Sequence, residues 1–165
     1  MKELLQSLPV YIALLAALLN LVRRQWTLNL LALLVQFVCV FPVLLRVLPL
    51  QLALIHPFTG LMVTLILYLT LLSVGGIKAI NLRVPLSSGE IFRALTGIFL
   101  IATLRVFIPQ LQQSVFPTVP GDHLFFSLGL ILIGLVQMGT IREPFYLAIG
   151  LLTFLSGFEM LYSAL

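Results

Sequence analysis

The sequence predicts an all-α protein, a polytopic transmembrane bundle of about six helices joined by short loops, and three observations carry that expectation. Of the 165 residues, 61% are hydrophobic and 8% are charged, where soluble domains hold about 25% charged residues. Mean hydropathy is +1.21. The apolar residues also fall into runs of roughly 20, the length that crosses a hydrocarbon core as a helix. No polar stretch is long enough for a separate soluble domain, so residues 1–165 read as a single integral membrane domain with the lipid bilayer as its first partner.

Cutting the chain at its charges, prolines and glycine pairs gives six spans, at Leu4–Val22, Thr27–Leu45, Leu50–Val74, Ile91–Ile108, His123–Thr140 and Pro144–Leu165. The first follows Lys2 as a signal peptide would, but its run is long and no small-residue cleavage site precedes Arg23, so it is read as a span. "RRQW", "RVLP" and "IREP" after the first, second and fifth spans are short enough to force antiparallel hairpins. In the third span Pro57 removes a backbone donor, which predicts a kink, and His56, Gly60 and Thr64 share one face. "SSGEIFR" has the form of a helix start, a serine cap followed by Glu90 in the first turn. Pro109 is expected to end the fourth span, and "PQLQQSVFPTVPGDH" to form an ordered, irregular loop.

The basic residues divide unevenly. Arg23, Arg24, Lys78, Arg83, Arg93 and Arg142 lie on one side, and Lys2, Arg46 and Arg105 on the other. By the positive-inside rule the first set faces the cytoplasm, which places both chain ends on the outer side of a bacterial inner or plasma membrane. The net charge of +4 is thereby a matter of topology. No basic patch with interleaved aromatics supports nucleic-acid binding. Trp26 and the tyrosines near span ends read as interfacial anchors, and Cys39 as a small buried thiol.

Ionisable groups inside a membrane cost a few kcal/mol and mark functional sites. Glu159 lies fifteen residues beyond Pro144, about two-thirds of the way across at roughly 1.5 Å per residue. On the same helix Gly150, Thr153, Ser156, Gly157, Glu159 or Met160, and Ser163 form a small and polar stripe. Such a stripe is either a close-packing seam or the setting of a protonatable carboxyl group. Arg105, one turn before Pro109 on the same side, either pairs with Glu159 or snorkels to the outer headgroups. His56 reads as a proton relay, an axial ligand to a tetrapyrrole, or a hydrogen-bonded histidine. Asn20, Gln36 and Gln137 read as interhelical hydrogen-bonding groups. Paired metal-ligand spacings, phosphate-cradling glycine loops, nucleophile motifs and inverted repeats are absent from the sequence, so no catalytic centre is expected.

The closing stretch, "GLILIGLVQMGTIREPFYLAIGLLTFLSGFEMLYSAL", resembles the hairpin shared by the K subunit of complex I and the E subunit of hydrogenase-4-type membrane complexes. The resemblance implies that Arg142 matches the turn arginine, Gly150 the helix glycine and Glu159 the intramembrane glutamate of proton translocation. Gly157 falls in the same seam. With Arg142 and Gly150 aligned, the family's glutamate position falls near Leu155, about one or two turns earlier than Glu159. On this reading the chain is a small non-catalytic subunit of an energy-converting respiratory or oxidoreductase complex. Other integral membrane subunits are its partners, Glu159, Arg105 and His56 are proton-path candidates, and no cofactor is implied. The alternative is a structural or pigment-associated subunit of a photosynthetic or respiratory assembly, with a tetrapyrrole at His56 or His123.

Overall fold

A computed structural model describes the backbone of residues 2–75 and 87–165, and the side chains of residues 8–75 and 87–165. Seven helical segments follow in chain order: α1 (Lys2–Val22), α2 (Trp26–Leu44), α3 (Leu50–Ala53), α4 (Ile55–Ser73), α5 (Ser88–Ser114), α6 (Gly121–Thr140) and α7 (Pro144–Ser163). No strand is found among the described residues. Five stretches, with α3 and α4 counted as one, are long and apolar enough to cross a membrane, and Leu8–Val22 of α1 forms a shorter apolar helix. The all-α bundle is the architecture expected, and the chain is an integral membrane protein.

Local chemistry sets the helix ends. Ser87 caps α5 in a reciprocal box: its side chain accepts from the Glu90 N–H at 3.3 Å, and the Glu90 carboxylate accepts from the Ser87 N–H at 2.8 Å. The third span breaks at Leu54, three residues before Pro57, which cannot donate to the Ala53 carbonyl. The expected kink is therefore a break between α3 and α4. Pro109 does not end α5, which continues to Ser114. The polar "QLQQS" run keeps the helical pattern past the apolar segment, and Gln112 ties the helix end to the following turn by donating to the Val119 carbonyl at 3.1 Å. The irregular loop is correspondingly shorter than the sequence suggests. Lys78 and Arg83 lie outside the described residues.

Helices α1, α2, α6 and α7 form the centre of the bundle, with α4 packed on α2 and α5 lying against α1 and α6. Ala13, Leu14, Ala17 and Leu21 of α1 meet Phe125, Phe126, Leu130 and Ile133 of α6 in the main core. A smaller cluster gathers Leu33 and Phe37 of α2 with Tyr146 and Ile149 of α7. The α3–α4 and α5 spans are each 22% buried, against 56% for α2 and 50% for α6, so most of their surface lies on the outside of the bundle.

The α6–α7 hairpin has the closest backbone approach. A Cβ added at Gly134 would lie 2.6 Å from the Phe154 nitrogen and 2.7 Å from the Gly150 oxygen; one at Gly157 would lie 2.7 Å from both the Ile131 nitrogen and the Ser127 oxygen. Lipid gives helices no hydrophobic reason to associate, so van der Waals contact between backbones supplies the attraction, and only glycine permits it.

Candidate functional site

The site is built on the small and polar face of α7 where it meets α2 and α4. Gly150, Thr153, Ser156, Gly157 and Met160 are buried along this face. Glu159 lies at its edge, with a side chain 46% exposed, while Met160 takes the buried position. Thr153 donates to Gln36 Oε1 on α2 at 3.3 Å, and Gln137 on α6 donates to the Tyr146 carbonyl at 3.2 Å. Both are the interhelical bonds expected of these amides. Asn20 is buried with no side-chain partner, whereas its neighbour in space, Asn29, donates to the Asn20 and Arg23 carbonyls at 3.4 and 3.0 Å, closing the end of α1.

At the far end of this face, His56 Nδ1 lies 2.7 Å from Glu159 Oε2. His56 sits in the first turn of α4, where the helix dipole favours an anion, and Glu159 supplies one. The imidazole is fully buried and packs at a tilt of 39° against Phe37 of α2, with ring centroids 4.8 Å apart. Gly60 makes room for that contact: a Cβ there would collide with the Phe37 ring. His56, Gly60 and Thr64 thus form the buried face of α4, as their spacing predicts. The carboxylate accepts the Nδ1–H, which leaves Nε2 as the free lone pair; Nε2 is buried and has no partner.

Arg105 does not meet Glu159. Its guanidinium lies 3.9 Å from Asp122 and 5.1 Å from the centre of the Phe125 ring, with Arg105 and Asp122 side chains 61% and 82% exposed. The reason is helix order: α5 packs on α1 and α6, whereas α7 is flanked by α6 and α2. Arg142 is exposed in the α6–α7 turn, and Gly150 and Gly157 are buried packing positions. Gly150 would place a Cβ 3.1–3.2 Å from Met138 and Gln137.

Among the described residues no group of three or more His, Cys, Asp or Glu side chains converges on one point. His56 Nε2 and both His123 ring nitrogens are buried and have no hydrogen-bond partner among the described residues.

Four buried polar atoms without partners follow the same interface: Gln137 Oε1, Gln36 Nε2, Ser156 Oγ and His56 Nε2. Thr153, Ser156 and Glu159 are three residues apart in succession, so their side chains are stepped by about 4.5 Å along α7. The result is a discontinuous line of polar groups from the Gln137–Tyr146 contact to the His56–Glu159 pair.

Sequence reasoning missed Asn29, Asp122 and the role of Phe37. A lone amide in the apolar run of α2 was the available signal for Asn29; the other two depend on helix neighbours. No protein-family model, curated protein or solved structure matches this chain.

Proposed function

We propose that the chain is a small, non-catalytic membrane subunit of a proton-translocating, energy-converting complex, and that its His56–Glu159 pair takes part in proton transfer. The observation that supports this most is the 2.7 Å contact between a fully buried imidazole and a half-exposed carboxylate within a membrane bundle. The two groups have different access. Glu159 reaches the surroundings and His56 reaches the polar line inside, so a proton held between them has an exit on one side and an entrance on the other.

In this reading Gln36, Thr153, Ser156 and Gln137 position water between the pair and the opposite end of the bundle. That end carries Arg23, Arg24, Arg93 and Arg142 and faces the cytoplasm of a bacterial inner or plasma membrane. Glu159 and both chain ends then lie towards the outer side. Other membrane subunits of the complex adjoin the exposed edge of α7.

The test uses native membranes carrying either the wild-type chain or Glu159→Gln. Proton uptake into vesicles is followed with a pH-sensitive dye, and assembly by native electrophoresis with mass spectrometry of the co-purifying subunits. The expected result is an assembled complex with redox or antiporter-like partners whose pumping falls at least about a hundred-fold in the variant, the lower range for loss of a proton-transfer group. Unchanged pumping in an assembled complex would remove Glu159 from the path. A chain that purifies alone would remove the complex.

A further inference from the structure

At the opposite end of the bundle, the turn between α1 and α2 meets the start of α5 and leaves a cleft of about 550 Å³ lined by Arg24, Ser87, Gly89, Glu90, Arg93 and Thr140. Arg93 is 6% exposed, and its Nε donates to the Gly89 carbonyl at 3.2 Å. Its Nη1 is buried and has no partner among the described residues. Buried guanidinium donors are costly to leave unpaired, and a planar fork of N–H groups suits phosphate oxygens.

The other lining groups are already committed or open in a way that favours an anion. The Glu90 carboxylate accepts from the Ser87 N–H, and the Thr140 hydroxyl donates to the Val136 carbonyl at 2.7 Å. No described residue lies within 4 Å of where a Cβ at Gly89 would stand, and although the Glu90 N–H is taken by Ser87, the Ser88 and Gly89 N–H groups in the first turn of this 27-residue helix have no intrahelical partner. Arg24 is exposed at the rim. Among the described lining residues two arginines stand against one glutamate, an excess of one positive charge.

We infer that this cleft binds a singly charged phosphate group, held by Arg93 and Arg24 over the start of α5. Arg93 enters α5 only at its sixth residue, about 9 Å from the helix start. This is headgroup depth in a span, and a phospholipid phosphodiester carries the one negative charge that the cleft neutralises. Basic pockets between membrane helices on the arginine-rich side bind such headgroups. The same chemistry would accept free monoanionic phosphate.

The test is native mass spectrometry of the full chain purified in mild detergent with phosphatidylglycerol or phosphatidylcholine, and with inorganic phosphate as competitor. One phosphatidylglycerol should be retained per chain, about ten-fold above phosphatidylcholine. Arg24→Gln should reduce retention roughly five-fold and Arg93→Gln ten-fold or more. Arg24 is exposed, so its variant keeps the test valid even where Arg93→Gln fails to fold. Displacement of the lipid by millimolar inorganic phosphate supports the phosphate site and assigns it to the soluble ion. Equal retention of the two lipids without phosphate competition, or wild-type retention by folded Arg24→Gln, overturns the inference.

Discussion

Replacing His56 and Glu159 by leucine, singly and together, measures the energy of their contact. An imidazole N–H donating to a carboxylate oxygen 2.7 Å away is a hydrogen bond to a charged group, worth about 1.5–3 kcal/mol. Protein surroundings strengthen that bond, while withdrawing the imidazole from water opposes it. Interhelical hydrogen bonds measured by double-mutant cycles in membranes reach about 1.7 kcal/mol, so the expected coupling energy is about 1–1.5 kcal/mol. The single variants should be unequal. Glu159→Leu strands a fully buried imidazole with neither nitrogen partnered, a loss of about 2–3 kcal/mol. His56→Leu leaves a carboxylate that is 46% exposed and free to turn outward, at about 1 kcal/mol. The assay is unfolding in mixed micelles by SDS titration, followed by circular dichroism. A coupling energy below about 0.5 kcal/mol, within the error of additivity, refutes the pair; a larger loss for His56→Leu than for Glu159→Leu refutes the assigned burial.

Two further outcomes follow from packing and capping. Gly157→Ala should destabilise the bundle by about 2–4 kcal/mol, because the added carbon meets backbone atoms of α6 that cannot rotate away. Gly139→Ala on the same hairpin has open space and should be neutral or stabilising by up to about 1 kcal/mol; the same SDS titration compares them, and equal losses would contradict the seam. Ser87→Ala removes one half of the capping box and should cost about 1 kcal/mol, read as faster amide exchange confined to the first turn of α5.

The parts of the fold that were legible in the sequence depend on short-range chemistry. Ser87 and Glu90 are three residues apart and can satisfy each other only at a helix start. Pro57 acts on the carbonyl four residues before it, and the break at Leu54 follows. The spacing of Gly150, Thr153 and Gly157 marked the packed face of α7, and their burial agrees. Pro109 shows the limit of the same reasoning. Loss of one donor bends or interrupts a helix, but the residues beyond it still have helical partners, and α5 runs on to Ser114. Within the candidate site, Glu159 and His56 were identifiable as ionisable groups in apolar runs, while of the two alternatives for Arg105 the pairing with Glu159 is not made, and Arg105 lies exposed beside Asp122.

Composition and run length by themselves determined that this is a membrane protein, where its helices lie and which groups are chemically out of place in lipid. Only the tertiary structure decided which of those groups meet. Small and polar residues at helical spacing mark the packed face of a membrane helix, but they do not say which other helix covers it. The sequence between His56 and Glu159, which are 103 positions apart, contains no local signal that α4 and α7 converge on α2. That convergence comes from the glycines that draw α7 onto α6 and Phe37 into α4, which place Glu159 beside a buried imidazole and leave Arg105 on the far side of α6 with Asp122.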